Sequence, residues 1–275
     1  MGGVKLFDRA VPLLTLAVVF WSLNFVLGRA VRAEIPPVGL AFWRWALATL
    51  LLAPFAWSQV RRDWPKIRAA WGPLLLLALL GVTVFNTLIY LGLQTTVALN
   101  AFLLQSLMPL LIVGLSFVLF RERVHRRQLL GLSVSLMGAA WVLARGDLNA
   151  LASLQLALGD ILVLVAVICY AAYSVLLRLR PKIGPLAFLF VTFAPGTLML
   201  LPFYIWETVA VAPVPLSTVS GASIMYVAVF PSIVSFLFFN RGVELAGANR
   251  AGTYLHLMPM FGAVFSIVLL GEALH

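Results

Sequence analysis

The chain is nearly without cysteine. Cys169 is the single one, it lies inside an apolar run, and no Cys-x-x-Cys or cysteine–histidine cluster surrounds it. Neither a disulfide framework nor a metal site is indicated, and no cofactor is expected. Acidic residues are also scarce, nine against nineteen Lys and Arg, and all nine (Asp8, Glu34, Asp63, Glu122, Asp147, Asp160, Glu207, Glu244 and Glu272) fall near the ends of apolar runs or between them. A proton-driven exporter of cationic drugs uses a carboxylate embedded in the membrane, and this distribution argues against one. Charged residues make up 10% of the chain and hydrophobic ones 63%, where soluble domains average about 25% and about 45–50%. A soluble fold is excluded. The net charge of +10 and pI of 10.6 would suit nucleic acid only if the cations shared a face with readable motifs, and here they sit between the apolar runs. No nucleic-acid partner is expected.

What the chain does have is long hydrophobic runs, each close to the roughly 20 residues that cross a bilayer as a helix, with a mean hydropathy of +1.07. They read as an all-α polytopic membrane protein with nine spans, at 11–31, 37–57, 70–92, 97–120, 126–145, 157–178, 184–205, 221–241 and 247–270. The first run is too long for a signal-peptide core and no A-x-A site follows it, so it reads as a retained helix. A cytoplasmic amino terminus puts 15 of the 19 cations in inner segments, among them Arg61, Arg62, Arg126, Arg178, Arg180 and Lys182, and only Arg29, Arg32 and Arg145 in outer ones. Short cytoplasmic loops carry such an excess. The expected setting is a bacterial inner membrane, with lipids around the chain and the amino terminus inside.

The sequence also repeats. At a shift of 150, Gly92–His125 aligns with Gly242–His275 with 11 identities in 34 positions, including Leu107-Met108-Pro109 over Leu257-Met258-Pro259, Glu122 over Glu272 and His125 over His275. At similar shifts Trp21–Arg29 faces Tyr170–Arg178, and Pro37-Val-Gly-Leu-Ala-Phe42 faces Pro185-Leu-Ala-Phe-Leu-Phe190. The first copy holds five spans, an odd number, so the second enters the membrane inverted. The expected division is 1–150 for the first repeat, spans one to five, and 151–275 for the second, spans six to nine. The repeat predicts a tenth helix after His275 that this chain lacks. Inverted repeats are the architecture of secondary transporters, with the substrate near the midplane between the halves.

These copies resemble the EamA-type repeats of the drug/metabolite transporter superfamily. The resemblance rests on Phe20-Trp21-Ser22-Leu23-Asn24, the Pro109 and Glu122 pair with its echo at Pro259 and Glu272, Gly159-Asp160, and Arg126-Arg-Gln-Leu-Leu-Gly131. Within the superfamily the chain is most similar to YddG-type exporters of aromatic and other neutral amino acids. The resemblance implies ten helices as five plus five inverted, with spans one to four and six to nine around a central cavity and the fifth of each half peripheral.

An ionisable group at the bilayer centre costs about 2.5–3.5 kcal/mol on insertion scales, so each one calls for a role. Arg44 lies about 10 Å inside the second span at 1.5 Å per residue. Two roles are open to it, holding a substrate carboxylate or snorkelling to the headgroups. His256 either faces the cavity or bonds a neighbouring helix carbonyl. The other cavity candidates are Trp21, Asn24, Asn86, Tyr90, Asn100, Gln105, Tyr170, Tyr173, Ser235 and Tyr254, any of which could instead bond between helices; Ser106 and Ser232 lie in the same spans. Pro109 and Pro259 are candidate hinges, since proline frees a backbone carbonyl. Glu122 and Glu272 suit capping of the helices that follow them. Aromatic walls with a few hydrogen-bonding groups fit a small zwitterion. The expected function is alternating-access export of aromatic and other neutral amino acids or similar small metabolites. Drugs, purines or nucleotide sugars are the rival substrates, and an intramembrane enzyme or a structural subunit is a further rival. Enzyme chemistry would need convergent catalytic groups, and His256 has no evident partner of that kind. The oligomeric state is left open.

Overall fold

The computed structural model describes residues 6–96, 101, 104–122, 130, 131, 133, 134, 137, 138, 141 and 157–270. Among them the protein is an all-α polytopic membrane protein, with seven helices long and apolar enough to cross a bilayer and one shorter apolar helix. They are α1 (Ala10–Val31), α2 (Pro37–Ala69), α3 (Trp71–Thr95), α4 (Leu104–Phe120), α5 (Leu158–Leu179), α6 (Pro185–Ala210), α7 (Thr218–Ala246) and α8 (Ala248–Leu269). Most of the fifth expected span lies outside the described residues, as do Asn100, Glu272 and His275.

Seven of the expected spans correspond to these long helices, and the fourth to the shorter α4. The largest difference is α2, expected to end at residue 57 and continuing to Ala69. Its 33 residues are about 50 Å long, well beyond a ~30 Å hydrocarbon core. The charges that suggested a stop, Arg61, Arg62, Lys66 and Arg68, belong to good helix formers. Val60, Asp63 and Ile67 are buried and tie the extra turns to the protein.

Packing follows the repeat. Helix α1 lies against α7 and α8, α5 lies against α3 and α4, and α2 packs along α6. Matched glycines set the close approaches: a Cβ on Gly92 would stand 2.7 Å from Val163, and one on Gly242 would stand 2.4 Å from Leu14. Helices α3 and α7 share a second device, a π-helical stretch at Leu79–Val84 and at Ala228–Val234. Such bulges free carbonyls and commonly mark functional sites.

Each long central helix also caps the other. Both carboxylate oxygens of Glu207, near the end of α6, accept from the first amides of α2, Val38 (3.0 Å) and Gly39 (2.6 Å). At the other end of the pair, Asp63 of α2 accepts from the Gly184 amide (2.8 Å) and Gln59 from the Ala187 amide (3.3 Å) at the start of α6. These bonds satisfy donors that helix starts leave open.

Candidate functional site

Residues matched by the repeat meet at the centre. Trp21 contacts Tyr170 edge-on with ring centroids 5.6 Å apart, and Trp45 meets Phe193 at 4.6 Å. Phe236 and Phe239 complete the cluster against Trp21, Tyr170 and Tyr173. Gly81, in the π-helical stretch of α3, makes room for Tyr173, because a Cβ there would stand 2.5 Å from its ring. Edge and tilted contacts of this kind contribute about 0.5–1.5 kcal/mol each beyond burial.

Arg44 reaches into this centre and does not snorkel: it is 1% exposed. Its Nε donates to Ser232 Oγ (2.6 Å). Its Nη1 donates to Asn86 Oδ1 (2.8 Å), Tyr90 Oη (2.9 Å) and, at 3.5 Å, Asn24 Oδ1. Its Nη2 donates to the Pro231 carbonyl (3.2 Å). Every acceptor is neutral, so among the described residues the cation is solvated by dipoles and by the face of Trp45, 4.8 Å away, with no carboxylate against it. A buried charge without a counter-charge is costly, and this centre is electrostatically suited to an anionic group.

The acceptors come from local backbone chemistry. Pro231 lacks an N–H inside the π-helical stretch of α7, and the Val227 carbonyl instead accepts from Ser232 Oγ (2.7 Å). The Pro231 carbonyl accepts from Trp21 Nε1 (2.8 Å) as well as from Arg44. Tyr90 Oη also donates to Asn24 Oδ1 (3.0 Å), and at the matched positions Tyr173 Oη donates to Asn240 Oδ1 (2.9 Å).

Two spaces adjoin the cluster. A cavity of about 500 Å³ opens at the cation-rich end, lined in part by Ser174, Arg178, Arg180, Lys182, Asn240 and Glu244. Its rim carries the ion pairs Arg178–Glu122 (2.9 Å) and Arg180–Glu244 (2.7 Å). Glu122 accepts from Asn249 with its other oxygen (3.0 Å), so both oxygens are engaged across the rim; the helix it was expected to cap begins outside the described residues. The second space is a narrow cavity lined by Trp21, Asn24, Asn86, Gln105, Met108, Tyr170, Leu255 and Met258 among others.

The structure therefore brings Trp21, Asn24, Arg44, Asn86, Tyr90, Gln105, Tyr170 and Tyr173 to one centre. Three other candidates lie apart from the Arg44 network. Ser235 Oγ donates to the Phe230 carbonyl of its own helix. Tyr254 and His256 sit in a short 3-10 turn, half-buried, and neither His256 nitrogen has a partner among the described residues, so of its two expected roles the carbonyl bond is not seen there. Pro109 follows a one-residue break at Leu107, and Pro259 follows the 3-10 turn Tyr254–His256, so each stands just past an interruption. Sequence reasoning missed Asn240, Pro231, Trp45, Phe193, Phe236 and Phe239.

A polytopic helical bundle with crossed packing of matched helices and a buried polar centre beside an open cavity defines a membrane transporter. The chain matches the EamA-like transporter family over residues 8–144 and 157–275 and belongs to it. It is 28% identical to an uncharacterized transporter of Archaeoglobus fulgidus, covering 94% of this chain and 89% of that one. It is 25% identical to the uncharacterized transporter YyaM of Bacillus subtilis, with coverage of 91% and 83%. A similarity of 25% over 97% of this chain and 83% of the relative links it to an S-adenosylmethionine/S-adenosylhomocysteine transporter of Chlamydia trachomatis. One solved crystal structure superposes with a TM-score of 0.73 over 97% of this chain and 89% of that one, at 18% identity, and so shares the fold.

Proposed function

We propose that this transporter exports aromatic and other neutral amino acids, or small metabolites built like them, across a bacterial inner membrane by alternating access. Residues 1–150 and 151–275 are the two halves that rock against each other, the amino terminus is cytoplasmic, and the 500 Å³ cavity is the cytoplasmic vestibule. The observation that carries the reading is Arg44, a buried cation held by neutral partners beside an aromatic cluster. A substrate carboxylate supplies the missing charge and an aromatic or apolar side chain lies against Trp21, Tyr170 and Phe236. Uptake into proteoliposomes tests this with labelled phenylalanine, tryptophan and threonine, with and without a pH gradient. Saturable amino-acid flux is expected, and a cationic dye as the only cargo would sink the reading.

A second reading follows from the chlamydial relative, whose substrates join an amino-acid head to a flat purine. The same centre suits that combination. Strong competition of S-adenosylhomocysteine against phenylalanine uptake would favour it.

A further inference from the structure

At the centre, in the Arg44 network and the narrow cavity beside it, the cation and the side-chain amides that meet it are not shared evenly between the repeats. At the offsets set by Pro37 over Pro185, Trp21 over Tyr170 and Met108 over Met258, Arg44 faces Thr192, Asn24 faces Tyr173, Asn86 faces Phe236 and Gln105 faces Leu255. Arg44 donates to both Asn24 and Asn86. In the other direction, Ser174 faces Phe25, Ser232 faces Val82 and Ser235 faces Phe85, but these three hydroxyls donate to carbonyls of their own helices. The exchange of Tyr90 for Asn240 keeps a polar group on both sides. Trp21 and Tyr170, matched and in contact, mark the seam, and Met108 and Met258, also matched, both line the cavity.

Two buried polar atoms on this cavity have no partner among the described residues: Gln105 Nε2, on a residue 3% exposed, and Tyr170 Oη, on a residue 2% exposed. A buried amide donor without an acceptor loses about the value of a hydrogen bond and is rare in native structures. Gln105 belongs to the polar side, on α4, two residues before the break at Leu107 that precedes Pro109. Leu255, its matched residue on α8, lines the same cavity from the other half.

We propose that the two repeats divide the substrate between them: the first repeat holds the amino-acid head through Arg44, Asn86 and Gln105, and the second selects the side chain through Leu255, Phe236 and Tyr170. This rests on the amino-acid reading above. The narrow cavity is about 20 Å³ in this conformation and must widen to admit substrate; Gln105 Nε2 then donates to the substrate carboxylate beside Arg44, and Leu255 bounds the space that opens for the side chain. The asymmetry belongs to the sequence of the halves, so the head keeps the same repeat whichever side of the membrane the cavity faces. A symmetric site would let the substrate turn round, and this one does not.

The division makes different predictions for two substitutions at one matched position. In proteoliposomes holding the full chain, KM is measured for L-phenylalanine, L-tryptophan, L-leucine and L-threonine. Gln105→Leu removes one donor to a charged group and is expected to raise all four KM values by about tenfold with their order preserved. Leu255→Ala is expected to change the order, shifting the tryptophan-to-threonine preference by about fivefold or more while threonine itself changes little. Gln105→Ala and Leu255→Met are read in the same way if either first variant fails to insert. A changed order with Gln105→Leu, or a uniform shift with Leu255→Ala, overturns the division while leaving amino-acid transport standing. Wild-type protein that moves none of the four overturns the amino-acid reading and the division with it.

Discussion

Two tyrosine–asparagine hydrogen bonds stand at matched places in this protein and have different surroundings. Tyr90 donates to Asn24 and accepts from Arg44, inside a buried network of donors and acceptors drawn from four helices, α1, α2, α3 and α7. Tyr173 donates to Asn240 at the edge of the 500 Å³ cavity, with Asn240 Nδ2 left unpartnered. The scaffold is common to both: each joins the first helix of a repeat to the third, just past a π-helical stretch. The chemistry is not, since one bond anchors a buried cation and the other faces the 500 Å³ cavity. The geometry of the bond is the same at the two matched places while its surroundings differ, a buried charge at one and open space at the other.

That contrast can be broken most severely at Arg44. Arg44→Lys keeps the charge and loses the planar fork, and about two charge-assisted bonds at about 1.5–3 kcal/mol each predict a loss of roughly a hundredfold or more in kcat/KM for uptake. The matched Thr192→Val is expected to stay within a few fold, because among the described residues the Thr192 hydroxyl bonds its own helix, at Phe188 and Leu189. Next in size is Gly81→Ala, which drives a methyl into the Tyr173 ring. Overpacking of this kind costs about 1–3 kcal/mol, seen as an apparent Tm lowered by several degrees in detergent, whereas Gly114→Ala, with nothing within 4 Å among the described residues, is expected to leave it unchanged. The two tyrosines then sharpen the comparison directly. Tyr90→Phe removes an acceptor from a charged donor, about 1.5–3 kcal/mol, and Tyr173→Phe removes a neutral bond, about 0.5–1.5 kcal/mol. Thermal shifts of equal size would mean that the cation gives the first bond no added weight. The smallest effect is expected for Glu207→Gln, which weakens the cap on α2 by about 0.5–1 kcal/mol.

Much of this was readable before any coordinates, and the reason is contrast. Arg44 stands out as the lone cation inside an apolar run, and Asn24, Asn86, Tyr90 and Gln105 stand out because polar groups in lipid need partners. The repeat offset, read from Pro109 over Pro259 and Trp21 over Tyr170, already paired residues that prove to be in contact. Trp45, Phe193, Phe236 and Phe239 gave no such signal, because aromatic residues in a helix that is apolar all round carry no mark of which face is central. Asn240 was hidden beside Arg241 at the expected end of its span. Pro231 was hidden differently, since its use depends on a π-helical stretch that shifts the phase of every later side chain in α7 and has no clear sequence signature. The additional turns of α2 were obscured by their own charges, which marked the edge of the hydrocarbon and not the end of the helix.

The reciprocal caps between α2 and α6 have a mechanical consequence. Glu207 holds the start of α2 while Asp63 and Gln59 hold the start of α6, at opposite ends of a pair that packs along its length. Sliding one helix past the other by a single residue would break the clamps at both ends at once. The pair therefore resists axial sliding, and in the transport cycle proposed above the two halves would pivot about it.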